Sequence, residues 1–208
     1  MASINVKPTR SELLLLKKKI KLARTGYNLL KKKRDGLILE FFNILKQAKD
    51  VRKELVSSYA AALQKINIAR AIDGDLAIKS ISLALKSLPV VEVATKNIMG
   101  VKVPKIGFPE FKKSIFERGY GITSATSKID EAAMAYEIVV EKVVAAAEVE
   151  LTLKKLLKEI ERTKRKVNAL ELLTIPRLEQ AAKYIRLRLE EMERENFSRL
   201  KRMKTIKV

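Results

Sequence analysis

The residues of this 208-residue chain that could do chemistry are almost all cations. Lys17, Lys18 and Lys19 recur as Lys31, Lys32 and Lys33, fourteen residues on, with Arg34 next. Fourteen residues is two heptads, so on one helix both triplets fill the same e, f and g positions and make one basic stripe. Arg162, Lys164, Arg165 and Lys166 form a second cluster, and Arg199, Lys201, Arg202, Lys204 and Lys207 close the chain with no acid after Asn196. Such side chains make charge-assisted contacts with acidic surfaces of any kind: nucleic acid, anionic lipid or acidic protein. The whole chain leans the same way, with 44 Lys and Arg against 24 Asp and Glu and a formal charge of +20.

Catalysis has little to draw on. Histidine and cysteine are both absent, which removes the commonest general base, the thiolate nucleophile and the usual transition-metal ligands. Glu190, Glu191, Glu193 and Glu195 cluster, but Glu190 with Arg194 and Glu195 with Arg199 are i,i+4 pairs of the kind that decorate an exposed helix. Gly119-Tyr120-Gly121 is no phosphate cradle, and no GxxxxGK[ST] run occurs. A site built from Lys or carboxylates alone is the only enzymatic route left. No cofactor or metal is implied.

The cations must be positioned by helices. Thr9 with Glu12 reads as a capping box opening a helix. From there the heptad positions are Leu13, Leu16, Ile20, Ala23, Tyr27, Leu30, Arg34, Leu37, Phe41, Ile44, Ala48, Val51, Leu55, Ser58 and Ala62, and thirteen of these fifteen are apolar. An unbroken 3-4 spacing predicts a coiled-coil seam through residues 1–70, with Arg34 as a register-setting polar residue. Residues 71–126 hold most of the glycine and proline. They predict a small head: a turn at Asp73-Gly74-Asp75, a short helix over Leu76–Leu88, and a loop over Gly107–Gly121. Val91, Val93 and Thr95, then Val101 and Val103, alternate around Met99-Gly100 and predict a β-hairpin, with Pro104 on an edge or ending a strand. Residues 127–208 predict a second long helix, with Ser127 as N-cap. Its seam is read as Ile129, Ala132, Tyr136, Val139, Val143, Ala146, Glu150, Leu153, Leu157, Ile160, Lys164 and Val167. Pro176 is expected to kink this helix after an apolar run that faces several ways, Leu170–Leu178.

Each long helix carries one narrow apolar stripe that needs covering, and a short head between them favours antiparallel pairing. The expected fold is therefore mainly α: a long antiparallel two-helix coiled coil with a head of one short helix and a β-hairpin. With residue 66 level with 129, Leu13 meets Ala182 and Ile20 meets Ile175. The many-sided apolar segments Leu13–Leu16 and Leu170–Leu178 then fall together, which suggests that this end inserts into something else. The N-terminus lacks an apolar signal core, and no apolar run reaches the roughly 18 residues a spanning helix requires. A cytoplasmic protein without direct membrane insertion is expected.

Three function classes fit this pattern. A basic coiled coil could grip nucleic acid, although its aromatic residues sit largely in the seam rather than beside the cations. A prefoldin-like chaperone also joins two helices through hairpins, but only one hairpin is read here. The third rests on a resemblance. Pro8-Thr-Arg-Ser-Glu-Leu, Leu16-Lys-Lys-Lys-Ile-Lys-Leu-Ala and Leu29-Leu-Lys-Lys-Lys-Arg-Asp-Gly-Leu resemble the N-terminal helix of the D-subunit family of V-type and archaeal A-type rotary ATPases. Glu161-Arg-Thr-Lys-Arg-Lys-Val-Asn-Ala-Leu-Glu, Ile175-Pro-Arg-Leu and Glu190-Glu-Met-Glu-Arg-Glu-Asn-Phe-Ser-Arg-Leu-Lys resemble its C-terminal helix. The resemblance implies a non-catalytic central rotor shaft on the cytoplasmic face of the membrane. Its termini would lie inside the ring of catalytic and nucleotide-binding subunits. Its head would meet a small companion stalk subunit and the adaptor that caps the membrane ring. Lys17–Lys19, Lys31–Lys33, Arg34, Ile175, Pro176, Arg199 and Arg202 become candidate bearing contacts with the hexamer. Val91, Val93, Val101 and Val103 become candidate head contacts. No nucleotide, nucleic acid or cofactor is implied for the shaft itself.

Overall fold

The computed structural model describes residues 7–84, 91–107 and 126–206. The elements in chain order are α1 (Arg10–Asp73), α2 (Asp75–Ala84), β1 (Glu92–Ile98), β2 (Val101–Gly107), α3 (Ser127–Ala169), a five-residue π-helical turn (Leu170–Thr174) and α4 (Ile175–Ile206). The fold is mainly α with one antiparallel hairpin, as expected. The end of the short helix from Leu85 on, the loop beyond Gly107 and Lys207 lie outside the described residues. The chain forms two compact units, one of residues 1–36 with 160–208 and one of residues 37–159.

Helix α1 starts where its cap predicts: the Glu12 N–H donates to Thr9 Oγ1 (3.3 Å), and the Leu13 N–H donates to the Thr9 carbonyl. All fifteen seam positions read from the sequence are buried or half-buried, from Leu13 to Ala62, and the column continues through Ile66 and Ala69. The helix stops at Gly74, whose φ of +79° no β-carbon would tolerate comfortably and whose N–H reaches the Arg70 carbonyl. That stop falls at residue 73, later than a boundary at 70.

In the unit of residues 37–159, the pairing is antiparallel. Lys142 Nζ meets Glu54 (3.3 Å), and Thr126 Oγ1 donates to the Asp73 carboxylate. Residue 73 rather than residue 69 is therefore level with 126, because α1 is longer than the sequence reading allowed. Thr126, not Ser127, precedes the first turn of α3, and its carbonyl accepts from the Ile129 N–H. The seam of α3 also departs from the heptad read in the sequence. Ile129, Ala132, Val139 and Val167 are buried as expected, but Val143, Glu150, Leu157 and Lys164 are exposed. Thr152, Leu156 and Thr163 are buried instead. Thr152 to Thr163 and Leu156 to Val167 are eleven-residue steps, a period slightly above that of the free helix rather than the roughly 3.5 of a left-handed heptad seam.

In the other unit, Leu16, Ala181 and Ile185 form a buried cluster flanked by Leu13, Leu178, Ala182 and Leu189. Leu13 thus lies in the same cluster as Ala182, as expected. Arg24 pairs with Glu179 (2.6 Å) and Arg10 with Glu193, which again sets the helices antiparallel. The level of Arg24 with Glu179 moves Ile20 several residues past Ile175. Pro176 does not end the helix. It has no N–H to give, and the chain answers with the π turn: the Ile175 N–H reaches back five residues to the Leu170 carbonyl, and Thr174 Oγ1 donates to the Ala169 carbonyl (3.2 Å).

Candidate docking surfaces

The basic stripe lies on α1. Lys17, Lys18, Lys19, Lys31 and Lys32 are exposed, and Lys33 is half-buried. Lys31 stands over the Tyr27 ring, 5.9 Å from its centroid. Among the described residues, Lys17, Lys18, Lys19, Lys32 and Lys33 have no ion-pair partner. Arg34 differs: its Nε and Nη2 both donate to Asp35 Oδ1, at 3.0 and 2.8 Å, so its charge is offset within the helix. Arg199 lies 4.0 Å from Glu195, and residues 191–204 of α4 are exposed throughout. Ile175 and Pro176 are half-buried beside the exposed Leu172 (70%) and Leu173 (62%).

One surface is not anticipated by the seam analysis. Leu15, Leu22 and Leu29 are exposed at 49, 74 and 63% and repeat every seven residues. They form a second apolar column on α1, pointed away from the seam. Lys18 and Lys19 stand three or four residues from Leu15 and Leu22, and Lys32 and Lys33 from Leu29, so on a helix they are lateral neighbours. On α4, Phe197, Leu200 and Met203 are also exposed. Exposed apolar residues grouped in this way make the column a candidate surface for another molecule to cover. The signal for the Leu column is its own 7-residue repeat, one position away from the seam residues Leu16 and Leu30 and easily absorbed into a general apolar excess.

The hairpin offers a second surface. Ile98 pairs with Val101 across Met99-Gly100, whose φ values of +50° and +87° are those of a type I′ turn. The Gly100 N–H donates to Asn97 Oδ1 (2.9 Å) and steadies it. In such a turn the flanking pair exchanges both backbone bonds, so 98/101, 96/103, 94/105 and 92/107 are bonded and the residues between them aim N–H and C=O outward. Pro104 occupies an outward position on β2, where it has no bond to lose. Ile106 is also outward, and its N–H donates to Glu148 Oε2 of α3 (3.1 Å). Val103, Pro104 and Ile106 are buried. β2 is thus anchored on both counts, and Val103, at 2% exposure, is part of the anchor. β1 is exposed from Glu92 to Asn97, so Val91 and Val93 stand free while Val101 is half-buried.

Two carboxylates near helix starts are held by neighbouring cations. A hydrogen bond and the charge of Lys79 hold the Asp75 carboxyl below its usual range, aided by Arg70, and Lys128 does the same to Glu131. Both carboxylates are exposed and lie near the starts of α2 and α3. Among the described residues no three acidic side chains converge to hold a metal ion, and no helix is long and apolar enough to cross a membrane.

Comparisons with known proteins point to one family. The family profile described as the D subunit of ATP synthase matches residues 12–205. The A-type ATP synthase D subunit of Methanosarcina acetivorans is 57% identical over 204 residues, covering 98% of both chains. That of Halorubrum lacusprofundi is 50% identical over 200 residues, covering 96% of this chain and 88% of its own, and that of Pyrococcus horikoshii is 49% identical over 203 residues, covering 98% and 95%. A profile match across nearly the whole length, with identities near one half and no large unmatched segment, places this chain in the ATP synthase D-subunit family.

Proposed function

We propose that this chain is the central rotor shaft of an A-type ATP synthase, carrying torque between the membrane ring and the catalytic hexamer without catalysing anything itself. The unit formed by its two ends turns inside the ring of catalytic and nucleotide-binding subunits. The hairpin-bearing unit meets the companion stalk subunit and the ring adaptor, through Val91, Val93 and Val101. The complex sits on the cytoplasmic face of the membrane, and the shaft itself stays out of the lipid.

The observation that carries this reading is the pairing of an uncovered Leu15–Leu22–Leu29 column with lysines that have no partner within the described chain. A bearing needs apolar adhesion without a fixed register, and weak ionic contacts that can pass from one subunit to the next. Ile175, Pro176, Arg199 and Arg202 are proposed as further contacts with the hexamer, while Arg34 contributes less because Asp35 already holds it.

The test is a reconstituted complex in which Lys17–Lys19 and Lys31–Lys33 are all changed to Gln. ATP hydrolysis should continue while the number of ions pumped per ATP falls. Hydrolysis and pumping that remain fully coupled would refute the bearing role of these residues.

A further inference from the structure

The two edges of the hairpin are treated differently. On β2 every outward position is closed or blunted: Pro104 lacks a donor, Ile106 gives its N–H to Glu148, and Lys102 places a charge on the strand. On β1 the outward backbone groups of Val93, Thr95 and Asn97 have no hydrogen-bond partner among the described residues, and β1 contains no proline or bulge. An open edge of this kind is a template for another strand.

We propose that the free edge of β1 pairs antiparallel with β1 of a second copy of the isolated chain, joining two hairpins into a four-stranded sheet. Register follows from hydrogen-bond parity. Outward residues must meet outward residues, so the two-fold axis falls on a residue, and five or more strand residues overlap only with it at 94, 95 or 96; at 96 the two Lys96 ammoniums would face each other. Centred on Ala94, Val93 meets the partner's Thr95 and exchanges both backbone bonds with it. Glu92 then faces the partner's Lys96, and Lys96 the partner's Glu92, on either side of two facing alanines. Glu92 and Lys96 have no ion pair within the described chain. Opposite charges directly across a sheet stabilise it and like charges weaken it. The alternative axis at residue 95 sets Glu92 against the partner's Ile98 and leaves both charges without a mate. Sequence, parity and charge thus select one self-complementary register. Val91 and Val93 are also proposed to meet stalk subunits, so those partners and the second copy compete for this edge; the pairing stands whether or not the rotor reading does.

The contact is small, which sets the concentration at which it forms. Sedimentation velocity on the full chain from about 10 µM to about 1 mM, where interfaces below standard size associate, should show a concentration-dependent dimer. Thr95→Pro removes only an outward donor, because Thr95 stands opposite Pro104 in a pair that shares no bonds within the hairpin. It should abolish the dimer while the amides of Lys96 and Val103 stay protected from exchange. Glu92→Lys and Lys96→Glu should each weaken the dimer about tenfold, and the double exchange should restore it. A chain that is monomeric throughout, a dimer indifferent to Thr95→Pro, or a dimer lost instead with Leu22→Ser would overturn the proposal, the last by moving the contact to the helix.

Discussion

Changing Glu148 to alanine should release the hairpin from α3 without unfolding the rest of its unit. The Ile106 N–H is aimed away from β1 and has one acceptor, Glu148 Oε2, at 3.1 Å in a part-buried setting. A hydrogen bond to a charged acceptor contributes about 1.5–3 kcal/mol, and an unpaired buried donor forfeits a similar amount. No other acceptor for this N–H exists among the described residues, so the loss is not made good locally. At about 1.4 kcal/mol per factor of ten, the Ile106 amide should exchange with solvent roughly ten to a hundred times faster. The bonded amides of Lys96 and Val103 should change less, because the I′ turn and the ladder hold them independently of α3. Glu148→Gln keeps an acceptor but not the charge, and should fall between wild type and alanine. Amide exchange followed by NMR reads all three positions in one experiment. Unchanged Ile106 exchange in Glu148→Ala would refute the anchoring role, and with it the argument that the β2 edge is closed. Equal acceleration at Lys96 and Val103 would show that Glu148 supports the whole hairpin rather than one edge.

Two further substitutions test the helices. Gly26 lies inside α1, and a β-carbon built there meets nothing within 4 Å; Gly26→Ala should raise the stability of the isolated chain by about 0.5–1 kcal/mol in denaturant melts, and a loss would mean the site is crowded. Ile185 is completely buried between Leu16 and Ala181, so Ile185→Ala should cost about 2–4 kcal/mol and lower the denaturant midpoint with little change in slope, whereas a cost under about 1 kcal/mol would mean the cluster closes around the gap.

What can be read from the sequence depends on how evenly each stripe is written. The seam of α1 is legible residue by residue, because its 3-4 spacing never slips and its only large polar member, Arg34, pairs with its neighbour Asp35. The hairpin is legible too, since Met99-Gly100 interrupts two alternating runs. α3 is legible at its start and again at Val167, but several positions between them are misplaced. Between Val139 and Thr152 the residues Val144–Ala147 are all half-buried, and small side chains there let the stripe slide by one position. The sequence carries a warning: keeping the heptad requires Glu150 and Lys164 in the seam, and both are exposed. Thr152 and Thr163 look polar in a heptad count, although a threonine methyl packs like that of valine and both are buried. The π turn cannot be read at all. A proline announces a missing donor, but whether the chain kinks, breaks or inserts a residue depends on which neighbouring carbonyls find partners.

The choice of cation on α1 bears on how a turning contact could work. Leu15, Leu22 and Leu29 face away from the seam, and each large apolar side chain left in water forgoes about 1.5–3 kcal/mol of burial. That loss is recovered only when another surface covers the column. An apolar column has no directional preference and adheres equally well at many angles. The charges around it then decide whether the contact locks or slides. All six cations of the two triplets are lysine. A lysine ammonium is a hydrated point charge on a flexible stem, and its exposed ion pairs are worth only about 0.2–1 kcal/mol, so it can leave one carboxylate for the next at little cost. An arginine fork would hold a carboxylate in one bidentate orientation and resist that exchange. Arg34, the one arginine beside the triplets, is already engaged by Asp35 and is withheld from such a lock. If the proposed bearing role holds, replacing the lysines by arginine should keep the net charge and the apolar column but raise the friction of the turning contact, a distinction that charge neutralisation alone does not draw.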